Sequence, residues 1–296
     1  MLKIRQLSKT YDNGVRALSG VDLEIPRGMF GLLGPNGAGK SSLMRTIATL
    51  QEADSGTIKF DDIDVLQDKD AVRRILGYLP QEFGVYPKVS AEAMLDHLAV
   101  LKGLTGGQRK SAVEGLLQRT NLWKVRKQKL GTYSGGMRQR FGIAQALLGD
   151  PEIVIVDEPT AGLDPEERGR FLDLLSEIGE NVVVILSTHI VEDVRDLCQQ
   201  MAIISTGEVR ASGEPHALIA ELDGRIWRRL IDKQDLPLYQ ERMQVISNRL
   251  FAGKREIRVM ADEAPEPGFD GVPANLEDVY FKTLRAATEQ PAAAAA

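Results

Sequence analysis

The eight residues GPNGAGKS, Gly34 to Ser41, constrain the fold of this chain more than any other stretch. They match the pattern G-x-x-x-x-G-K-[ST] at every fixed position, between an apolar run at Met29–Gly34 and a helical pattern that starts at Lys40. Glycines in such a loop let backbone N–H groups surround phosphate oxygens, a lysine adds positive charge, and a serine hydroxyl can bind Mg²⁺. We therefore predict a strand, a phosphate-binding loop and a helix in succession. The candidate phosphate-binding residues are Gly34, Pro35, Asn36, Gly37, Ala38, Gly39, Lys40, Ser41 and Ser42.

A second apolar run, Glu152–Pro159, predicts a strand that is covered on both faces. Asp157 and Glu158 lie at its end. Combined with the upstream loop, these residues predict a Mg²⁺-holding carboxylate at Asp157 and a general base for an attacking water at Glu158.

Further apolar runs at Val182–Leu186 and Met201–Ser205 alternate with amphipathic helical patterns. One helix is predicted to begin at Asp164-Pro165, because an aspartate N-cap followed by proline is a typical helix start. Buried strands that alternate with helices indicate an α/β core with a largely parallel sheet.

The character of the sequence changes after about Leu222. Paired strands are predicted around Gly253-Lys254, followed by a Pro/Gly-rich loop and a short helix at Leu276–Arg285. We therefore predict an α/β domain over residues 1–221, a small α+β domain over residues 222–288, and a disordered, alanine-rich tail over residues 289–296.

Composition narrows the function classes. The net charge of -5 argues against a nucleic-acid-binding protein, which usually carries a basic surplus. The single cysteine, Cys198, cannot form a disulfide framework, so a reducing compartment is expected. The sequence carries no signal-peptide pattern and no apolar stretch long enough to span a membrane, so any membrane role is expected to depend on a partner chain.

A second candidate anion site lies in the segment GTYSGGMRQRFG, Gly131 to Gly142. Residues Met137 to Leu148 are predicted to form a helix. Ser134, Gly135 and Gly136 precede this helix, and a helix N-terminus attracts anions. The sequence thus predicts two phosphate-directed motifs in one chain.

Taken in order, these motifs resemble the nucleotide-binding subunit of an ABC transporter over about Leu2 to Gly213. GPNGAGKS is similar to the Walker A loop, IVIVDEP to Walker B with the catalytic glutamate, YSGGM to the signature, and AGLD, at 161–164, to the D-loop. The resemblance also assigns Tyr11 to adenine stacking, Gln81 to sensing Mg²⁺ and the attacking water, and His189 to the switch position. Taken alone, Tyr11 and His189 would be read as packing residues.

The resemblance implies a P-loop NTPase (RecA-like) core with an antiparallel β subdomain and a helical signature subdomain at about residues 82–150. It implies ATP and Mg²⁺ as cofactors, with Ser41, Gln81 and Asp157 near the metal and Glu158, His189 and Gln81 as catalytic residues. Ser134, Gly135, Gly136 and Asp164 are implied to contact nucleotide. Tyr133 and Met137 stand where the family prefers leucine and glutamine, which resembles the branch that exports drugs, lipids or polysaccharides.

In this family two subunits pack head to tail, so each ATP lies between the P-loop of one and the signature of the other. The resemblance therefore implies a second ATP-binding subunit, in a homodimer or in a pair with a similar chain. It also implies an integral membrane permease that docks near Phe83–Leu104 and holds the chain at the cytoplasmic face of the membrane. Phe83 and Tyr86 are candidate contacts, with packing inside the helical segment as the equal alternative.

Two other function classes stay open at this point. One is a soluble ABC-type ATPase that assembles or regulates other molecules without transport. The other is a scaffold that binds ATP without turnover, which the presence of Glu158 and His189 disfavours.

Overall fold

The structure is a computed structural model that describes residues 1–160, 162–179 and 182–289. Most of the predicted tail at residues 289–296 lies outside this range, as does Ala161 of the D-loop. The β-strands are β1 (Leu2–Thr10), β2 (Arg16–Ile25), β3 (Gly28–Leu33), β4 (Ser55–Phe60), β5 (Ile63–Asp64), β6 (Leu76–Leu79), β7 (Ile153–Asp157), β8 (Val183–Thr188), β9 (Gln200–Ser205), β10 (Glu208–Gly213), β11 (Ile226–Ile231), β12 (Val245–Phe251), β13 (Lys254–Met260) and β14 (Asp270–Gly271).

The α-helices alternate with these strands through much of the chain. They are α1 (Lys40–Ile47), α2 (Lys69–Ile75), α3 (Ala91–Leu101), α4 (Gly106–Arg119), α5 (Gly135–Ala146), α6 (Pro165–Ile178), α7 (Val191–Leu197), α8 (Pro215–Ala220), α9 (Leu236–Arg242) and α10 (Leu276–Glu289). Short 3₁₀ turns lie at Trp123–Val125, Leu130–Thr132 and Lys233–Asp235.

The strands of the described residues form three sheets, one of which is the antiparallel sheet β12-β13-β11-β14. A six-stranded sheet has the order β10-β9-β3-β8-β7-β6, and its β9-β3, β3-β8, β8-β7 and β7-β6 pairs are parallel. Antiparallel pairs build the sheet β2-β1-β4-β5. The predicted α/β class with an antiparallel β subdomain is confirmed.

The parallel sheet positions the site. Strand β3 lies between β8 and β9, and every residue of β7 and β8 is buried, as their apolar runs predict. In register, Asp157 is opposite Ser187 and Leu33 is opposite Thr188. The carboxyl ends of three adjacent strands therefore meet at one edge, which is where parallel α/β sheets bind ligands.

Within the predicted helical subdomain at about residues 82–150, the start of one helix differs from its prediction. Ser90 caps α3, since its hydroxyl accepts the N–H of Ala93 at 3.3 Å. Helix α5, however, begins at Gly135 and not at the predicted Met137. Gly135 and Gly136 are thus the first two helical residues, because Ser134 rather than a later residue caps the helix.

The chain divides into two compact units, Met1–Val209 and one that begins at Arg210, and the division falls within β10. In the second unit β12 and β13 form the predicted hairpin, and Ala252 and Gly253 turn the chain with positive φ values of 46° and 83°. Two local predictions were incomplete: α10 continues to Glu289, and the predicted loop contains the short strand β14, which pairs with β11. The domain limits at 221 and 288 stay predictions.

Within the described part of the chain, the helices are too short or too polar for any of them to cross a membrane.

Candidate nucleotide-binding site

The predicted phosphate-binding loop connects β3 to α1 and requires glycine at defined positions. Gly37 and Gly39 have φ values of 79° and 108°, in the region that favours glycine. A Cβ atom on Gly39 would lie 2.5 Å from the carbonyl oxygen of Ala17. The loop therefore takes its shape from a close backbone approach that no other residue permits.

Lys40 is folded back into this loop. Its Nζ atom donates hydrogen bonds to the carbonyl oxygens of Gly34 at 2.6 Å and Pro35 at 3.3 Å, and lies 3.9 Å from Oε1 of Glu158. Only 6% of the side chain is exposed. Burial lowers the pKa of Lys40, while Glu158 and Asp157 partly oppose that shift. The ammonium group thus lies beside the two carboxylates at the strand ends.

Asp157 and Ser41 form an oxygen-rich pair at the end of β7. The Ser41 hydroxyl donates to Oδ2 of Asp157 at 3.5 Å. Burial raises the pKa of Asp157, an effect that the Ser187 and Ser41 hydroxyls and Lys40 partly offset. A hydroxyl and a carboxylate are the hard oxygen ligands that Mg²⁺ takes, usually with only one or two protein groups and the remaining positions filled by water and phosphate. The residues present fit a Mg²⁺ ion.

Glu158 follows in a strained backbone conformation. Its φ of 49° is uncommon for a residue with a side chain. Such strained conformations cost free energy and occur most often at functional sites. The N–H of Glu158 donates to the carbonyl oxygen of Ser187 at 2.8 Å, which fixes the turn. Its Oε2 atom lies 2.5 Å from Nδ1 of His189, whose side chain is 56% exposed. A buried carboxylate is therefore held between the ammonium of Lys40 and a solvent-facing imidazole.

Tyr11 lies beside Ser42, which is in the first turn of α1. Its hydroxyl is 2.9 Å from Oγ of Ser42 and donates to Oε1 of Gln51 at 3.0 Å. The amide of Gln51 also donates to the carbonyl oxygen of Ser42 and to Oγ1 of Thr46, each at 2.9 Å. These bonds orient the tyrosine ring. Sequence reasoning missed Gln51, and no motif in the sequence marks it.

A cavity of about 430 Å³ brings the predicted residues together. Its described lining consists of Tyr11, Val15, Ala17, Pro35, Asn36, Gly37, Ala38, Gly39, Lys40, Ser41, Ser42, Gln81, Asp157, Glu158 and His189. Among the described residues, the predicted nucleotide contacts Ser134, Gly135, Gly136 and Asp164 do not line it.

The signature segment forms a separate feature. The Ser134 hydroxyl accepts the N–H of Met137 at 3.2 Å and caps α5. A Cβ on Gly135 would meet no described atom within 4 Å, whereas a Cβ on Gly136 would lie 2.5 Å from Oε2 of Glu167. Tyr133 is buried, and its hydroxyl donates to the carbonyl oxygen of Val125 at 3.1 Å. The departure from leucine at this position is thus accommodated inside the helical segment.

Asp164 is a helix cap in the structure. Its Oδ1 atom accepts the N–H of Glu167 at 2.9 Å at the start of α6, as the sequence predicts. The side chain is committed to this bond, and its predicted contact with nucleotide stays a prediction.

Comparison with known proteins identifies the family of this chain. The family described as "ABC transporter" matches residues 18–161. The chain is 31% identical to the uncharacterized ABC transporter ATP-binding protein YxlF of Bacillus subtilis (strain 168), over 97% of this chain and 100% of that protein.

The chain belongs to the ABC transporter ATP-binding proteins. It is also 35% identical to the linearmycin resistance ATP-binding protein LnrL of Bacillus subtilis (strain 168), over 76% of this chain and 72% of LnrL. Among solved structures, it is similar to the dimeric, post-hydrolysis ATP-binding cassette MJ0796 bound to ADP and Pi. The TM-score is 0.66 and the identity 28%, over 72% of this chain and 98% of MJ0796. As an ABC ATP-binding subunit the chain binds ATP and is an ATPase, and its predicted P-loop NTPase fold is confirmed.

Proposed function

We propose that this ABC ATPase is the motor subunit of a membrane exporter, held at the cytoplasmic face of the membrane by a permease. Two copies would bind two ATP molecules between the P-loop of one copy and the signature helix of the other. ATP would close this dimer and hydrolysis would reopen it, which is a switch between two states biased by a ligand.

One observation carries the proposal. The chain has two phosphate-directed motifs, but only the P-loop lines the nucleotide cavity, while Ser134 and Gly135 are exposed elsewhere on the same unit. A helix N-terminus with an open glycine is suited to an anion that arrives from outside the chain. The dimeric cassette MJ0796 supports a second copy as the source.

The cavity residues suit hydrolysis by an activated water. Glu158 is proposed as the general base, with His189 holding its carboxylate through the 2.5 Å contact. Ser41, Asp157 and Gln81 would hold Mg²⁺, which when bound would neutralise phosphate charge as it develops. Tyr11 would stack on the adenine, since its hydroxyl bonds fix the ring at the cavity wall.

The permease is proposed to dock on the segment Phe83–Leu104. A cavity of about 340 Å³ lies against this segment, lined by residues that include Tyr78, Leu98 and Leu101. Leu101 is 70% exposed and Tyr86 is 65% exposed, which supports both as contacts for a partner. Phe83 packs on Gly142, where a Cβ would lie 2.6 Å from its ring, so packing explains Phe83 better.

The transported molecule is proposed to belong to the drug, lipid or polysaccharide class. Support comes from the YSGGM signature and from relatives whose names include a linearmycin resistance protein and a Nod factor export protein. The soluble, non-transport alternative predicts no membrane partner. Purification from membranes with a tagged chain is expected to recover a polytopic permease, and Tyr86→Ala with Leu101→Ser is expected to reduce that recovery.

Mixed dimers test the shared site. Lys40→Ala removes the P-loop charge, and Gly135→Asp adds a carboxylate where the described chain leaves open space. Gly136→Asp is unsuitable because it would strike Glu167 of its own chain. A homodimer of either variant is expected to occlude no ATP. In a verified heterodimer, the intact P-loop of the Gly135→Asp chain faces the intact signature of the Lys40→Ala chain. The heterodimer should therefore occlude one ATP. Heterodimers that occlude none, beside wild-type dimers that do, would contradict the shared site.

A further inference from the structure

A carboxylate is packed against the N-terminus of the signature helix. Glu167, the third residue of α6, places Oε2 2.5 Å from the position that a Cβ of Gly136 would occupy. The Glu167 side chain is only 19% exposed. A negative group thus lies beside the second residue of a helix whose first turn is proposed to receive a phosphate.

The same carboxylate is paired with Arg140 of the signature helix. Nη2 of Arg140 lies 3.3 Å from Oε2 and 3.4 Å from Oε1 of Glu167, and Nε donates to the carbonyl oxygen of Gly136 at 3.4 Å. The Arg140 side chain is 11% exposed, so the pair is poorly screened by solvent. Arg170 reaches Oε1 at 3.3 Å but is half exposed and also pairs with Glu166.

The pair links two elements of the proposed ATP sandwich. Asp164 of the D-loop caps α6, and Ser134 of the signature caps α5. Because Arg140 bonds both to Glu167 and to the backbone of Gly136, it fixes the first turn of α5 against α6. The guanidinium also neutralises a carboxylate that would otherwise offset the positive potential that the helix N-terminus offers to an anion.

We propose that Arg140 is a positioning residue that neutralises Glu167, so that the signature turn stays attractive to the γ-phosphate of the partner's ATP. The inference rests on the proposed function, because it needs the signature to meet ATP across a dimer. The loss of Arg140 and the loss of the Glu167 charge are therefore expected to have different effects on ATP-driven dimerisation. Removal of the arginine exposes a repulsive carboxylate, whereas removal of the glutamate charge leaves a favourable cation in place.

The experiment measures ATP-driven dimerisation in the Glu158→Gln background, by sedimentation at increasing Mg²⁺-ATP. Arg140→Met is expected to raise the ATP concentration needed for half-maximal dimer by about tenfold, the upper range of a helix-terminus charge effect. Adding Glu167→Gln to Arg140→Met should restore the midpoint to within about threefold. Glu167→Gln alone should leave the midpoint unchanged or lower it.

Matched controls lie within two residues of Arg140 and Glu167 on the same helices. Arg138→Met and Glu166→Gln alter exposed charges that make no described contact across the α5–α6 pair, so neither should move the midpoint. The Arg140→Met defect should shrink as salt rises from low to high concentration, since salt screens repulsion but does not repair a misfolded helix. Far-UV circular dichroism checks that each variant is folded. If Arg140→Met does not fold, the test depends on the dimerisation midpoint of Glu167→Gln alone.

The outcomes separate the two proposals. If the Glu158→Gln protein itself does not dimerise with ATP, the shared site and this inference both fail. If it does, and Arg140→Met behaves like Arg138→Met, only the inference fails. The inference also fails if Glu167→Gln weakens dimerisation as much as Arg140→Met does. The pair would then only hold α5 against α6, and its charge would have no separate effect on the partner's ATP.

Discussion

The P-loop and the signature turn are both proposed to bind phosphate, but their local structures differ. In the P-loop, Gly39 approaches the carbonyl oxygen of Ala17, and Lys40 bonds to the backbone of Gly34 and Pro35. In the signature turn, Gly135 faces open space and only Ser134 caps the helix. The shape of the P-loop is fixed by contacts within its own chain. The signature turn instead leaves a helix N-terminus open to a ligand from outside the chain.

This difference teaches that a phosphate motif alone does not define a complete site. The P-loop shares its cavity with Asp157, Glu158 and His189, so the groups proposed for binding and for catalysis lie together there. The signature turn has a cap and a paired carboxylate but no catalytic group among its described neighbours. Variants in the cavity should therefore affect chemistry and nucleotide affinity, and variants in the signature should affect closure of the dimer without changing the groups inside the cavity.

The largest effect is expected from Glu158→Gln. The amide keeps the shape of the side chain but cannot accept a proton, and loss of a general base typically costs about 10²–10⁴-fold in rate. ATP binding should be retained, so the variant should accumulate as a closed, ATP-bound dimer. Steady-state phosphate release and nucleotide titration measure the two effects. Glu24→Gln, an exposed change on β2, serves as the control, and near-wild-type hydrolysis by Glu158→Gln would contradict the assignment.

Loss of the metal ligands should produce the next largest effect. Ser41→Ala and Asp157→Asn remove groups that are proposed to act on Mg²⁺, so Mg²⁺-ATP affinity should fall by roughly tenfold to a hundredfold, the range for a bond to a charged group. Affinity for ATP in EDTA should change much less. Isothermal titration with and without Mg²⁺ checks this. Equal losses under both conditions would mean that these side chains act on the nucleotide rather than on the ion.

The sequence predicts the P-loop side of the comparison far better than the signature side. The P-loop, Walker B and switch motifs follow buried strands of a parallel sheet, and strand order alone brings their ends to one edge. The sequence pattern predicts the start of α5 two residues late, because glycine is a poor helix former and the cap at Ser134 decides the boundary instead. Gln51 and Glu167 could not be found, since each acts through a contact distant in sequence that no local pattern encodes.

Tyr11 offers a smaller effect within the P-loop cavity. Tyr11→Ala should weaken ATP and GTP similarly, by about 1–3 kcal/mol, because stacking recognises the face of a base rather than its edge. Tyr11→Phe keeps the ring but loses the bonds to Ser42 and Gln51, so it should cost only about 1 kcal/mol. Fluorescent-nucleotide binding measures both. An unchanged affinity in Tyr11→Ala would show that the ring packs at the strand edge and does not contact the base.

The smallest effect separates the two signature glycines themselves. Alanine stabilises a helix by roughly 0.5–1 kcal/mol relative to glycine, so Gly135→Ala, with open space around its Cβ, should raise the free energy of unfolding. Gly136→Ala should lack that gain, because its Cβ would displace the Glu167 carboxylate from its place beside Arg140. Urea unfolding of the isolated variants should therefore differ by about 1 kcal/mol in favour of Gly135→Ala. In a Glu167→Ala background the obstacle is removed and the gap should close; a gap that persists there would mean that the backbone, and not the carboxylate, requires glycine at position 136.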